Sequence, residues 1–233
     1  MGQHSGIGVL DKAVAVLGAV AKEPCGLAEL CNRTGLPRAT AHRLAVGLEV
    51  HRLLRRGSDG RWRPGAALAE LAGGATDPLL DAASAVLPRL REVTGESVQL
   101  YRRDGMQRIC VAAAEPPSGL RDTVPVGARL PMSAGSGAKV LAAWLDQPTQ
   151  RAVLADAVFG ERTLFEVRRR GWAQSVGERE PGVASVSAPV RDGTGAVIAA
   201  VSVSGPVERI GRRPGGRWAA DLLAAAEALQ NRL

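Results

Sequence analysis

The sequence predicts an α+β chain: an N-terminal winged helix-turn-helix, then an antiparallel sheet with flanking helices. Three observations predict it. Residues 27–49, LAELCNRTGLPRATAHRLAVGLE, read as two short helices joined by a tight Gly-Leu-Pro turn. Residues 51–64, HRLLRRGSDGRWRP, read as a basic β-hairpin. From residue 79 onward, strand-like alternation is interleaved with helical periodicity.

The elements follow in order. Val9 to Ala21 carries Leu10, Ala13, Val14, Leu17 and Val20 at helical spacing and is expected to pack behind the helix pair. Gly35 stands where a left-handed residue ends the next helix, and Pro37 suits the first position of the one after. On that helix Ala41, Leu44, Ala45 and Leu48 form one buried stripe. Ala39, His42 and Arg43 face the other way, with Arg38 and Thr40 flanking the first turn. Such a face suits a DNA major groove: Arg grips guanine, Thr and Ala meet a thymine methyl, and Thr also holds phosphate. A solvated polar face on an ordinary helix pair is the alternative reading of these residues alone.

In the hairpin, Trp62 is expected to face inward while Arg61 and Arg63 share the outer face and track phosphates. Residues 31–63 hold eight arginines against Glu49 and Asp59, a net +6 in a chain whose total is +7. That asymmetry is the electrostatic footprint of a DNA-contacting surface, and double-stranded DNA is the expected partner. Ala66 to Leu71 reads as a short helix broken by Gly73-Gly74 and ended near Asp77-Pro78. The expected division is a DNA-binding domain at 1–65, a linker helix at 66–78 and a second domain at 79–233.

Composition narrows the classes. Aromatics are 3%, too few for the stacking platforms of many single-strand and RNA binders. No 18-residue apolar run and no basic-then-apolar leader is present, so no membrane partner and a cytoplasmic location are expected. Cys25, Cys31 and Cys110 form no C-x-x-C, so neither a disulfide framework nor a metal site is expected; Cys110, in an apolar strand, is core or a redox thiol. No cofactor is expected.

In the second region, a helix is expected over Leu80 to Val93. Hairpins are expected at Ser97–Arg103 with Gln107–Ala113 and at Val183–Val190 with Ala196–Ser204, and helices over Gly135–Leu145 and Gly216–Leu233. Ser133-Ala134-Gly135-Ser136-Gly137 opens a helix whose free N–H groups attract a carboxylate or phosphate, although P-loop spacing fails because Val140 follows Lys139. Ser202 and Ser204 share one face of an Ala/Val strand, and Ser185 and Ser187 repeat this on the other arm. Hydroxyls so placed either line a polar pocket or bond across strands.

GLPRATAHRL, VPVGARLPMSAGSGAKVLAAW and RRRGWAQSVGEREPGVASVSAPVRDGTGAVIAAVSVSGP together resemble the IclR family of transcriptional regulators over essentially the whole chain. YRRDGMQRICVAAAEPPSGLRDTVPVG is similar to the actinobacterial NdgR-type branch, regulators of amino-acid biosynthesis such as the leucine pathway. The resemblance implies a winged helix, a linker helix and a GAF-like effector domain, with homodimers that pair into tetramers. It implies DNA contact by Thr40 and Arg43. It also implies a ligand pocket at the Ser136 and Gly137 amides and the Ser202 and Ser204 hydroxyls. Ser175 and Ser185 stand where the best-studied small-acid binders place an Asp and a Cys. The implied effector is a small carboxylate, an amino acid or keto acid. The alternative is a small-acid enzyme with a basic appendage. It would need a nucleophile–base pair or metal cluster, yet His4, His42 and His51 all lie N-terminal, leaving Glu178 and Glu180 as a lone acid–base pair or a surface charge run.

Overall fold

The computed structural model describes residues 5–73 and 77–233; His4 and Gly74 lie outside them. The chain divides into two compact units, Met1–Thr76 and Asp77–Leu233.

The first unit runs α1 (Gly8–Lys22), α2 (Leu27–Thr34), α3 (Arg38–Val50), β1 (Leu54–Arg56), β2 (Trp62–Pro64) and α4 (Ala66–Gly73). Gly35 closes α2 in the left-handed region, φ 68°, and its N–H donates to Cys31 O at 2.8 Å. Pro37 precedes α3 as its cap rather than sitting inside it. Ala41 and Ala45 are fully buried, with Leu44 and Leu48 half-buried beside them, so the predicted stripe forms. They meet Val16, Val20, Leu30, Leu54 and Trp62 in one core.

The face of α1 differs from expectation. Val16, Ala19 and Val20 are buried, whereas Leu10 and Val14 are 48% and 58% exposed. The short α2 and the core of α3 cover only the C-terminal half of the helix, so its first half keeps an apolar stripe in solvent. The wing also gains an arm: Cys25 and Trp62 exchange backbone hydrogen bonds at 3.2 and 3.0 Å, bringing the α1–α2 connection alongside β2. Gly65 N–H donates to Leu53 O at 2.9 Å, and Ala67 N–H donates to Arg52 O at 3.0 Å. A Cβ on Gly65 would lie 2.1 Å from Arg52 O. Gly65→Ala is therefore expected to destabilise this unit by about 3 kcal/mol, as overpacking against backbone does, measured by denaturant unfolding.

The second unit contains α5 (Pro78–Thr94), β3 (Ser97–Asp104), β4 (Gln107–Ala114), β5 (Arg129–Pro131), α6 (Ser136–Ala143), α7 (Gln147–Ala155) and α8 (Glu161–Arg170). It continues with β6 (Ala173–Val176), β7 (Val183–Arg191), β8 (Val197–Pro206), α9 (Val207–Ile210) and α10 (Pro214–Gln230). Asp77 and Pro78, read above as ending a helix, instead begin α5: the Asp77 carboxylate accepts the Leu79 N–H at 3.1 Å and is gripped by Arg102. Hydrogen bonding from Arg102 comes first among the causes that hold the Asp77 acid below its usual range. Its contribution to stability is thus present above the ordinary carboxylate pKa and lost as pH falls through the lower folded value. Asp77→Ala is expected to cost about 1 kcal/mol at pH 7, and pH-dependent melting should show that difference shrinking below about pH 4.

The six strands form one antiparallel sheet in the order β5-β4-β3-β8-β7-β6. α5 and α10 cover one face over a core including Leu87, Leu100, Val186, Val201 and Leu222. α6 covers the other, with α8 packed against α6, around Tyr101, Val140, Leu164, Val167 and Ala200. Register aligns Ser175, Ser185, Ser204 and Ser97 in one cross-strand row, and Ser187, Ser202 and Gln99 in the next. Cys110 is buried, and burial pushes its thiol up to about 11, which keeps it protonated at neutral pH. Among the described residues no helix is long and apolar enough to cross a membrane.

Candidate functional site

On α3 the side chains of Arg38, Ala39, His42 and Arg43 are exposed, and Thr40 is half-buried at the first turn. Among the described residues neither Arg38 nor Arg43 has an ion-pair partner, so both charges face solvent. His42 also rests its ring edge against Trp62, with centroids 6.1 Å apart. α3 holds this face outward because Ala41 and Ala45 are pinned in the core on its far side.

On the wing, both predicted arginines have partners within the unit. Arg61 does not track outward: its guanidinium donates to Glu29 at 2.8 Å and to Pro24 O at 3.2 Å, tying the wing back to α2. The other oxygen of Glu29 accepts the Gly26 N–H at 2.9 Å. That backbone hydrogen bond, then Arg61, holds the Glu29 acid below its usual range. Arg63 pairs with Asp59 at 2.7 Å across the hairpin turn. Both arginines are thus paired with acids, one on α2 and one in the hairpin turn. Arg55, directly opposite Arg63 in the register, is exposed and has no such partner among the described residues. Arg56 lies over the Trp62 indole at 4.4 Å. Strand alternation would have singled out Arg55, since Leu54 before it is inward.

In the second unit a small, partly open polar cavity lies at the start of α6. Ser136, Gly137, Ser175, Ser185 and Ser204 line it, as expected. Ser202 does not: it sits behind the wall with its hydroxyl 2.5 Å from Ser187 Oγ, on the row of the register one step removed. The hydroxyls both face the cavity and bond one another. Ser136 Oγ lies 2.7 Å from both Ser185 Oγ and Ser187 Oγ, and Ser204 donates to Gln99 Oε1 at 3.0 Å.

Charged groups that the sequence reading passed over complete the site. Arg108 on β4 is 3% exposed; burial lowers its pKa to about 10, which leaves it a cation at neutral pH. Its Nη1 donates to Pro131 O, and its guanidinium lies 5.4 Å from the Tyr101 ring centroid. The signal was available: Arg108 falls in phase with inward Cys110 on an alternating strand. Arg179 Nη2 lies 2.9 and 3.0 Å from the two Asp122 oxygens, and Nη1 lies 3.3 Å from Glu180. Glu178 pairs with Lys139 and accepts the Gly135 N–H at 3.2 Å. Glu178 and Glu180 thus each hold a cation rather than forming an acid–base pair. Among the described residues no cluster of His, Cys, Asp or Glu could hold a metal, and His42 and His51 lie in the first unit.

Residues 9–58 match the IclR helix-turn-helix domain, and residues 75–231 match the bacterial transcriptional regulator IclR C-terminal domain. The glycerol operon regulatory protein of Streptomyces griseus is 30% identical over 234 residues, covering 93% of this chain and 91% of that protein. The IclR transcriptional regulator of Alicyclobacillus acidocaldarius superposes with a TM-score of 0.81 at 26% identity, over 97% of this chain and 98% of that one. An IclR homolog from Microbacterium hydrocarbonoxydans, complexed with 4-hydroxybenzoate, shares the fold at a TM-score of 0.84 and 24% identity, over 97% and 98% of the two chains. The two family matches together span nearly the whole chain, and the winged helix and sheet described above fit both: this protein belongs to the IclR family of transcriptional regulators.

Proposed function

We propose that the chain is a metabolite-controlled regulator that binds operator DNA through the α3 face and a small carboxylate in the α6 cavity. The single observation that carries the DNA half is exposed Arg43 on the side of α3 opposite buried Ala41 and Ala45, with exposed Arg38 at the first turn and neither arginine ion-paired among the described residues. Ala39, Thr40 and His42 share that surface, and Arg55 on the wing joins them in place of Arg61 and Arg63. The cavity residues are Ser136, Gly137, Ser175, Ser185 and Ser204, with Ser202 supporting from behind. The Microbacterium homolog's ligand, 4-hydroxybenzoate, is itself a carboxylate, which supports this ligand class.

The division we favour is a DNA-binding domain at 1–65, a linker helix at 66–78 and an effector domain at 79–233. The protein acts as a homodimer, with tetramers formed by pairing of dimers. Ile7, Leu10 and Val14, all about half exposed or more on one side of α1, supply the apolar surface a dimer contact between first units needs. Amino-acid biosynthesis as the controlled pathway rests on the Tyr101–Gly127 resemblance alone, and the glycerol operon regulator points instead to carbon catabolism.

Titrating the protein against its own upstream DNA across a salt series tests the DNA half. With six to ten phosphate contacts per complex, affinity should fall about 10³- to 10⁵-fold between 50 and 200 mM salt. A flat salt dependence would remove the proposed interface.

A further inference from the structure

Among the described residues three buried side-chain polar atoms have no hydrogen-bond partner: Ser97 Oγ, Gln99 Nε2 and Arg108 Nε. Only the last belongs to a charged group, and that group lines the cavity. Arg108 spends Nη1 on Pro131 O, while neither Nε nor Nη2 meets an acceptor. Those two nitrogens form one side of the guanidinium, a fork matched in spacing to the two oxygens of a carboxylate. The same unit shows that fork in use: Arg209 grips Glu96 through Nε and Nη2. Arg108 offers the same edge with no acid of this chain upon it.

The surroundings are shaped to leave that edge clear. A Cβ on Gly135 would lie 3.0 Å from Arg108 Nη2, and one on Gly137 3.6 Å from Nε. The two glycines of the Gly135-Ser136-Gly137 run therefore flank the two unpartnered nitrogens. The first-turn amides of α6 begin at the same place, because the first helical bond is Lys139 N–H to Gly135 O. The other cations nearby are already matched: Lys139 by Glu178, and Arg179 by Asp122 and Glu180. A buried cation without a counter-charge is costly, and an anion is what completes it.

We propose that Arg108 is the residue that reads the effector's carboxylate, side-on through Nε and Nη2, and that the cavity selects monocarboxylates over dicarboxylates. The exclusion comes from Asp122 and Glu180, which also line the cavity: the two acids share the single cation Arg179 and leave a net negative charge to meet a second carboxylate. This rests on reading the cavity as the effector site.

The test is calorimetry and thermal shift on the full-length protein with pyruvate, benzoate and 4-hydroxybenzoate, each against its carboxamide, and with succinate. At least one monocarboxylate should raise the melting temperature, while its amide and succinate should not. Arg108→Gln should weaken that binding about thirtyfold or more, the loss typical of deleting one partner of a hydrogen-bonded charge pair. Should Arg108→Gln fold poorly, Gly137→Ala serves in its place. Its methyl makes only ordinary contacts with Tyr101, Ser202 and Arg108, yet covers Nε, so folding should persist and binding weaken. If the acid binds the native protein and both variants equally well, or if its amide binds as tightly, Arg108 does not read the carboxylate and the cavity assignment survives. Binding of succinate as tight as that of the monocarboxylates would overturn the selection alone. If no acid shifts the native protein, the cavity assignment falls and this inference falls with it.

Discussion

Arg43→Ala is expected to weaken operator binding by about 1–3 kcal/mol for each half-site if its guanidinium reads a guanine edge, or roughly five- to 150-fold. In a dimer engaging two half-sites the losses compound. Arg43 has no competing acid among the described residues and stands on the helix side opposite Ala41 and Ala45, so the substitution removes a contact without disturbing the core. Arg61→Ala is the informative contrast. Arg61 is held by Glu29 at 2.8 Å and its loss should leave the salt slope nearly intact. Arg55→Ala, by removing an unpaired wing cation, should lower the slope by about one per subunit. Fluorescence anisotropy on labelled operator DNA distinguishes the three. Native-like binding by Arg43→Ala would detach α3 from the DNA.

Trp62→Ala should be among the most damaging single changes in the first unit, costing about 3–5 kcal/mol. The indole is 2% exposed, donates from Nε1 to Glu49 at 3.2 Å, supports Arg56 on its face and meets the edge of His42. Its backbone also pairs with Cys25. One side chain therefore joins core, wing and the outward face of α3. Trp62→Phe keeps most of the packing and loses the Glu49 hydrogen bond, so its cost should be nearer 1 kcal/mol plus the lost ring volume. Denaturant unfolding followed by circular dichroism orders the two variants. Equal, small costs would mean that the wing is not anchored through this residue.

The helix pair was readable because its signals are local: a glycine at the left-handed position, a proline before the next helix and a stripe at 3.6-residue spacing. The two long hairpins of the second unit were readable from alternation around Asp104-Gly105 and Asp192-Gly193. What sequence periodicity could not supply was tertiary choice. Which half of α1 is covered depends on the lengths of α2 and α3. β5 and β6, at three and four residues, are too short to carry a period, and α9 is a single turn. α7 and α8, though longer, hold only Val153, Leu164 and Val167 fully buried, a sparse apolar signal. Asp77-Pro78 carries the same chemistry as a stop and a start, and the fold used it as a start. At the cavity, the serine rows were visible within single strands. The inward phase of Arg108 was visible too, but not its meeting with the helix start, which comes only through the β4–β3–β8 order. The partner of Arg61 was hidden for a related reason, since Glu29 lies more than thirty residues away in sequence but 2.8 Å away in space.

In the proposed regulator, occupancy of the α6 cavity controls DNA affinity. The most direct measurement is operator binding at fixed salt, with and without a monocarboxylate shown by calorimetry to saturate the cavity. Coupling between the sites should change operator affinity about 5- to 150-fold, the range typical of allosteric linkage. By reciprocity, operator DNA should change the acid's affinity by the same factor. An operator affinity unmoved by saturating ligand would contradict the account, leaving a DNA-binding unit and a ligand-binding unit on one chain without a switch between them.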